Sequence, residues 1–243
     1  MTTQHCSASC PLEPNGSVCA SRMNVIKAVI FDLDGTLIDS NWVHLQSWRG
    51  ALKILGVEFR DQEVIDRLGL RTVDIARQLL SNHGEQTIGK LVELKGQLFE
   101  NTWRLEVKPR YGALGMLRIM KARGVRSAVA SSNNTDRILK TVKYFGMGTL
   151  PDAVLGINEV DQGKPDPALV TTAIKKLGVG PKESIYVGDS RYDVEAGRAA
   201  GAQTALVLQP VAAQSELKVE PDYRLRSLYQ LKQIIWPDSY RRE

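Results

Sequence analysis

No apolar run in this 243-residue chain reaches the ~20 residues that a membrane-spanning helix needs. Nor does any block of about five or six consecutive basic residues occur, and aromatic residues make up only 6% of the chain. The charged stripe and the stacking platform of a nucleic-acid binder are both missing, so neither a nucleic acid nor a membrane is expected as partner. Cysteine is confined to Cys6, Cys10 and Cys19. An odd number with none in the body argues against a disulfide framework and suits a reducing, cytoplasmic setting. The spacing of these cysteines and His5 matches no zinc pattern. The first 22 residues have no apolar core of a secretory signal and a single Arg. Ser, Pro, Asn and Gly dominate there, so residues 1–23 are expected to be a flexible tail.

What is present is ordinary for a globular protein: 43% hydrophobic and 24% charged residues. The length corresponds to roughly 1.6 domains, which means one core with a sizeable insertion or two small domains. The net charge of +5, from 32 Lys plus Arg against 27 Asp plus Glu, is a mild excess. Such a field favours small anionic substrates, although a solvated basic surface accounts for it equally well.

Along the chain, VIKAVIF (25–31) is nearly all apolar and β-branched, and predicts a short buried parallel strand. DLDGT ends it. Residues 41–106 then read as helical almost throughout, with Gly56 as a helix C-cap and no strand signal. They are expected to form a helical cap inserted into a core made of residues 24–40 and 107–243. After Pro109 the rhythm changes. A helix from about Gly112 to Arg123 precedes the strand VRSAVASS, and TDRILKTVKYFG is a helix capped by Gly146. DAVLGI is a short strand, and PDPALVTTAIKKLG a helix with Pro167 near its start and Gly178 at its end. SIYVGD, DVEAGRAAG and QTALVL alternate strand, helix and strand. PDYRL is a weak last strand and SLYQLKQII a closing helix. Alternation of this kind predicts a Rossmann-like, doubly wound parallel sheet covered on both faces.

In such a sheet ligands sit beyond the carboxyl ends of the strands, so the first polar residue after each strand matters. These residues are Asp32 and Asp34 after the first strand, Ser131 after VRSAVA, and Asp189 after SIYVG. Asp193 lies one turn into the next helix, and Lys164 in the GKPDP loop. Several carboxylates gathered at one place do not all stay ionised unaided. Hard oxygen ligands of this type suit Mg²⁺ with phosphate oxygens. A lysine, a hydroxyl and free backbone N–H groups beside them complete the furniture of a phosphoryl-transfer site. Bland readings compete for each residue. Asp34–Gly35 is also a common turn pair. Ser131 could cap a helix, a job for which Ser132, Asn133 and Asn134 are equally suited. Asp193 could simply answer a helix dipole, Lys164 could lie on the surface, and Thr36 could only shape its loop.

DLDGT, the strand-terminal Ser131, GKPDP and GDSRYD resemble, in order, the four motifs of the haloacid dehalogenase-like hydrolase superfamily. The likeness extends from about Asn24 to Trp236. The helical insert between the first two motifs is similar to the cap of the subfamily that contains phosphoglycolate phosphatase and β-phosphoglucomutase. The resemblance implies a nucleophile at Asp32, which would form an aspartyl-phosphate, and a general acid and base at Asp34. Ser131, with Ser132 as the alternative, and Lys164 would hold the phosphoryl group. Asp32, the backbone carbonyl of Asp34 and Asp189 would hold Mg²⁺, with Asp193 orienting a metal-bound water or Lys164. The metal-free dehalogenase branch lacks the second aspartate of the first motif, which Asp34 supplies here.

In the cap, His44 and Trp48 are spaced as in β-phosphoglucomutase, although both residue types also serve as packing. Arg71 in GLRTVD resembles a loop residue that reaches the substrate and could clamp a second anion. Lys95 and Arg104 are weaker candidates. The implied activity is a Mg²⁺-dependent phosphatase acting on a small phosphorylated metabolite such as a sugar phosphate or phosphoglycolate, and a monomer is expected. A sugar phosphomutase is the alternative, and a non-catalytic relative that binds a ligand or partner is a remote third.

Overall fold

The computed structural model describes residues 25–209 and 217–237. The tail with its cysteines and His5 lies outside the described residues. In chain order the elements are β1 (Ala28–Phe31), β2 (Ile38–Asp39), α1 (Asn41–Ile54), α2 (Asp61–Ile65), α3 (Thr72–Leu79) and α4 (Glu85–Glu106). Then follow β3 (Lys108–Pro109), α5 (Ala113–Ala122), β4 (Arg126–Ala130), α6 (Thr135–Tyr144), β5 (Ala153–Leu155), α7 (Ala168–Leu177) and β6 (Ser184–Gly188). The chain closes with α8 (Arg191–Ala199), β7 (Gln203–Val207), β8 (Tyr223–Leu225) and α9 (Leu231–Ile235).

Six strands form one parallel sheet in the order β5-β4-β1-β6-β7-β8. Side chains alternate across it, as the pleat requires. Val29 and Phe31 of β1 pack with Met116 and Leu117 of α5, Ile138 of α6 and Leu231 of α9. Ala28 and Ile30 face the other way, onto Leu169 and Ile174 of α7 and Ala196 of α8. Both faces are therefore apolar, which is why the strands read as continuous hydrophobic runs rather than alternating ones. The chain runs outward from β1 through β4 to β5, then returns to β6 on the other side of β1. That reversal places the topological switch between β1 and β6.

The helical reading of residues 41–106 holds, with breaks between α1 and α2, α2 and α3, and α3 and α4. These helices share their own apolar cluster, built on Leu45, Trp48, Leu52, Ile75, Leu80 and Leu91. The base of α4 belongs elsewhere: Phe99 and Trp103 join Val43 in the cluster under the sheet. One pairing had no sequence signal. The two linkers of the insertion run side by side as a short antiparallel ribbon, Ile38 opposite Pro109 and Asp39 opposite Lys108. Two residues per strand are too few to show a period, and only the closure of the insertion brings them together. Among the described residues no helix is long and apolar enough to cross a membrane.

Candidate active site

Asp32 follows β1 and its amide donates to the Val187 carbonyl of β6 (2.8 Å). Ser131 follows β4 and its amide donates to the Leu155 carbonyl (3.1 Å). Asp189 follows β6 directly. Three strand ends thus deliver three polar side chains to one edge, on either side of the switch point. Carboxylate oxygens of Asp32, Asp189 and Asp193 lie within 4.8 Å of one another. Lys164 reaches them from the loop before α7, with Nζ 2.9 Å from Asp32 Oδ1 and 2.6 Å from Asp193 Oδ1. The ammonium is fully buried.

Asp193 is tied up. Its Oδ1 receives Lys164 and the Tyr186 hydroxyl (3.1 Å), and its Oδ2 receives the Ser190 amide (3.0 Å) and hydroxyl (2.6 Å). With Ser190 it forms the capping box that starts α8. Gly188 makes room, since a Cβ there would lie 2.2 Å from that of Asp193. Asp193 therefore serves the helix start and Lys164 at once, which leaves Asp32 and Asp189 as carboxylates with free valence.

Burial is the main cause that pushes Asp32 up to about 7; Asp193 and Asp34 add to it and Lys164 opposes it. Asp189 is held well above the ordinary range, first by burial and then by Asp193 and Asp32. For Lys164 burial works downward, but Asp193 and Asp32 outweigh it and keep the ammonium charged. One ammonium is too little to keep three crowded carboxylates ionised, which is why Asp32 and Asp189 are pushed toward their protonated forms in the absence of another cation. The polar contact that Asp32 Oδ1 makes among the described residues is with the buried Lys164 ammonium at 2.9 Å. A hard divalent cation would answer that excess of carboxylates, and the all-oxygen donor set fits Mg²⁺.

Asp34 faces a different set of groups. Its Oδ1 accepts the Ser40 hydroxyl (2.6 Å) and lies 3.0 Å from His44 Nε2, while its Oδ2 accepts the Asn133 amide (2.5 Å). Burial would raise its pKa, but His44, Arg137 and the Ser40 hydroxyl outweigh that and hold it below the usual carboxylate range. Burial and then Lys95 pull His44 down to about 4, so the imidazole is neutral near pH 7. Lys95 Nζ sits 2.9 Å from Nδ1. An ammonium can only donate, so Nδ1 carries the lone pair and Nε2 the hydrogen that faces Asp34. Phe99 stacks on the ring at 4.2 Å.

Residues 29–207 match the family model of the haloacid dehalogenase-like hydrolases. The chain belongs to that family. A relative in Clostridium perfringens is 33% identical over 181 residues, 74% of this chain and 83% of its own. Pyrophosphatase PpaX of Bacillus velezensis is 29% identical over 212 residues, 86% of this chain and 96% of its own. Among solved structures, a hydrolase from Pseudomonas syringae superposes with a TM-score of 0.77 at 22% identity, covering 88% of this chain and 99% of that one. β-Phosphoglucomutase from Clostridium difficile gives 0.74 at 19% identity, covering 89% and 98%. At these identities the two structures speak for the shared fold, a Rossmann-like sheet with a helical insertion.

The pocket of this haloacid dehalogenase-like hydrolase is lined by Asp32, Asp34, Ser131 and Asp189 below, and by His44, Trp48, Leu68, Ile75 and Lys95 of the insertion above. Ser131, Lys164 and Asp189 all lie at this edge of the sheet. The Ser132 hydroxyl donates to the Gly69 carbonyl of the insertion (2.8 Å), whereas the Ser131 hydroxyl faces the pocket and accepts from Asn133. Arg71 is not brought to the pocket. Its guanidinium forks onto Asp74 (2.5 and 2.9 Å), and its stem covers Gly163. Trp48 touches the pocket wall but is 1% exposed and packs in the insertion's own cluster. Arg104 lies over Trp103, away from the pocket lining. Thr36 is fully buried beneath its loop.

Lys95 moves the other way, from weak candidate to the buried cation of the pocket's upper wall. Asn41, Asn133 and Ser40 are site residues that motif reading passed over. Asn133 was legible as the second residue after Ser131. Ser40 and Asn41 read as a helix start, and the Ser40 hydroxyl in fact leaves α1 uncapped in order to reach Asp34.

Proposed function

We propose that this chain is a Mg²⁺-dependent phosphatase that hydrolyses a small phosphate monoester through an aspartyl-phosphate on Asp32. The observation that carries the reading is the convergence of Asp32, Lys164 and Asp189 at one edge of the sheet. The relative named as a pyrophosphatase supports a small, highly charged phosphate compound as the substrate class. Residues 24–40 and 107–243 would act as the core and 41–106 as the cap.

Asp32, the Asp34 carbonyl and Asp189 would hold the metal, which would neutralise phosphate charge and draw the reacting phosphorus toward Asp32. Lys164 and the Ser131 hydroxyl hold the remaining phosphoryl oxygens. An oxygen of Asp32 attacks phosphorus as the bond to the leaving oxygen breaks. Asp34 passes a proton to that oxygen. In the second half a water attacks the aspartyl-phosphate and gives its proton to Asp34, and the P–O bond to Asp32 breaks. The hydrogen bonds on Asp34 favour its ionised form, which suits the second half. For the first half, His44 Nε2–H lies beside it as the proton source, backed by the Lys95 ammonium. Lys95 also offers a buried positive charge to an anionic leaving group.

The test is phosphate release with Mg²⁺ over a panel of small esters and pyrophosphate. Release from at least one compound is expected, with loss of about a thousandfold or more in a folded Asp32→Asn variant. No release from any compound, or an active Asp32→Asn variant, defeats the reading. A phosphomutase is the second reading. It is favoured by the insertion lying closed over the site, with Ser132 bonded to Gly69 and the Tyr192 hydroxyl bonded to the Asp66 carbonyl (3.1 Å). It requires isomerised product to exceed free phosphate when a sugar bisphosphate primer is added.

A further inference from the structure

All hydrogen bonds that the described residues make to the Asp189 side chain fall on one oxygen, Oδ2. Asn41 donates to it at 2.7 Å and Gln209 at 3.1 Å. Asn41 is the first residue of α1, where the chain enters the insertion. Gln209 follows β7 and carries no motif.

Every polar atom of the Gln209 side chain is used. Its Nε2 spans two groups, Asp189 Oδ2 and the Gly35 carbonyl (2.5 Å), and its Oε1 accepts Arg110 Nη1 (2.5 Å). The Arg110 guanidinium only donates, so it fixes which end of the amide faces Asp189. Arg110 follows β3, where the insertion returns to the core. Its amide bonds to the Leu37 carbonyl (2.9 Å), its guanidinium lies 3.9 Å from Asp39 of β2, and its side chain is 14% exposed. The Gly35 loop is equally close, for a Cβ on Gly35, whose φ is +73°, would come within 2.0 Å of Asp189 Oδ2.

We propose that Gln209, held by Arg110, is a positioning residue for Asp189, and that with Asn41 it links the seating of the helical insertion to metal affinity. Both linkers of the insertion end on the same carboxylate oxygen, Asn41 from the entry side and Arg110 through Gln209 from the exit side. The arrangement leaves Oδ1 of Asp189 for a cation and joins the Asp34–Gly35 loop to Asp189 through one amide. Coupling of this type is reciprocal: metal binding steadies the closed insertion as much as closure steadies the metal site. The inference rests on Asp189 being a Mg²⁺ ligand, as in the proposed function.

The experiment is calorimetric titration of Mg²⁺ into the metal-free full chain, for wild type, Gln209→Leu, Arg110→Met and the double variant. Thermal unfolding without metal runs alongside as a check on folding. Gln209→Leu is expected to raise the Mg²⁺ Kd about tenfold or more, the usual weight of a group that orients a ligand. Arg110→Met should raise it less, and the double variant no further than Gln209→Leu alone, because Arg110 acts only through the amide. A Kd within about twofold of wild type in folded Gln209→Leu overturns the proposal, as do additive effects in the double variant. If Gln209→Leu does not fold, an unchanged Kd in Arg110→Met overturns it by itself. A wild-type chain that takes up no Mg²⁺ defeats the metal reading first, and is told apart by the absence of binding heat.

Discussion

Replacing Lys95 by Met tests the electrostatics of the insertion without touching the carboxylates below. Lys95 is buried, forms no ion pair among the described residues, and has its Nζ beside His44, Phe99 and Trp48, with Arg137 acting on it from α6. Burial, followed by Arg137, brings its pKa from 10.5 down to about 7, against the pull of Asp34. A lysine whose folded value lies below its unfolded value sheds a proton on folding between the two. The unfolded chain then binds more protons, so this group's contribution to stability rises with pH from about 7 to about 10.5. Methionine keeps the stem, fits the apolar surroundings and titrates nowhere. Urea unfolding of both proteins at about pH 7 and about pH 9.5 isolates the effect, since the other groups cancel in the difference. The advantage of Lys95→Met should shrink by about 3 kcal/mol over that span, since each unit of pKa shift corresponds to roughly 1.4 kcal/mol. A difference that stays constant across the pH range refutes the burial argument, and with it the idea of an uncompensated cation waiting for an anionic leaving group.

Three further outcomes follow from the geometry. Gly69→Ala would bring a Cβ within 2.4 Å of Ser190 Oγ at a φ of +104°, so the insertion cannot seat; kcat/KM should fall at least about tenfold while overall stability changes by less than about 2 kcal/mol. Asn133→Ala removes the amide on Asp34 Oδ2, and the Asp34 carboxyl followed by NMR should titrate at a higher pH than in wild type, because a carboxylate that loses a donor binds its proton more tightly. Trp48→Ala should cost about 3–5 kcal/mol in urea unfolding, whereas Trp48→Phe should preserve KM within about threefold if the ring is packing rather than a substrate contact.

Much of this molecule could be read from the chain because its strands are buried on both faces. VIKAVIF, SIYVG and QTALVL each end abruptly in polar residues, and the end of a parallel strand is where a ligand site opens. Asp32, Asp34, Ser131 and Asp189 were legible as candidates for that reason, while Lys164, in the loop before α7, was legible only through the GKPDP motif. The insertion was legible as helices but not as chemistry. Arg71, just before α3, and Lys95, within α4, are both single cations among helical segments in the sequence. Whether such a group meets a carboxylate, as Arg71 meets Asp74, or is buried with only a neutral imidazole beside it, as Lys95 is, depends on packing between helices tens of residues apart. Ser132 was ambiguous with Ser131 until the Gly69 carbonyl was seen above it. Gln209 gave no signal at all, since a glutamine after a strand is ordinary and its partners Gly35, Arg110 and Asp189 lie 174, 99 and 20 residues away.

In the ribbon formed by β2 and β3, two crossings zipped together tie the helices to the sheet at one place, a few residues from Asp34 on one side and beside Arg110 on the other. A change in how those two linkers pair would therefore reach the carboxylate edge of the sheet before it reached either apolar cluster.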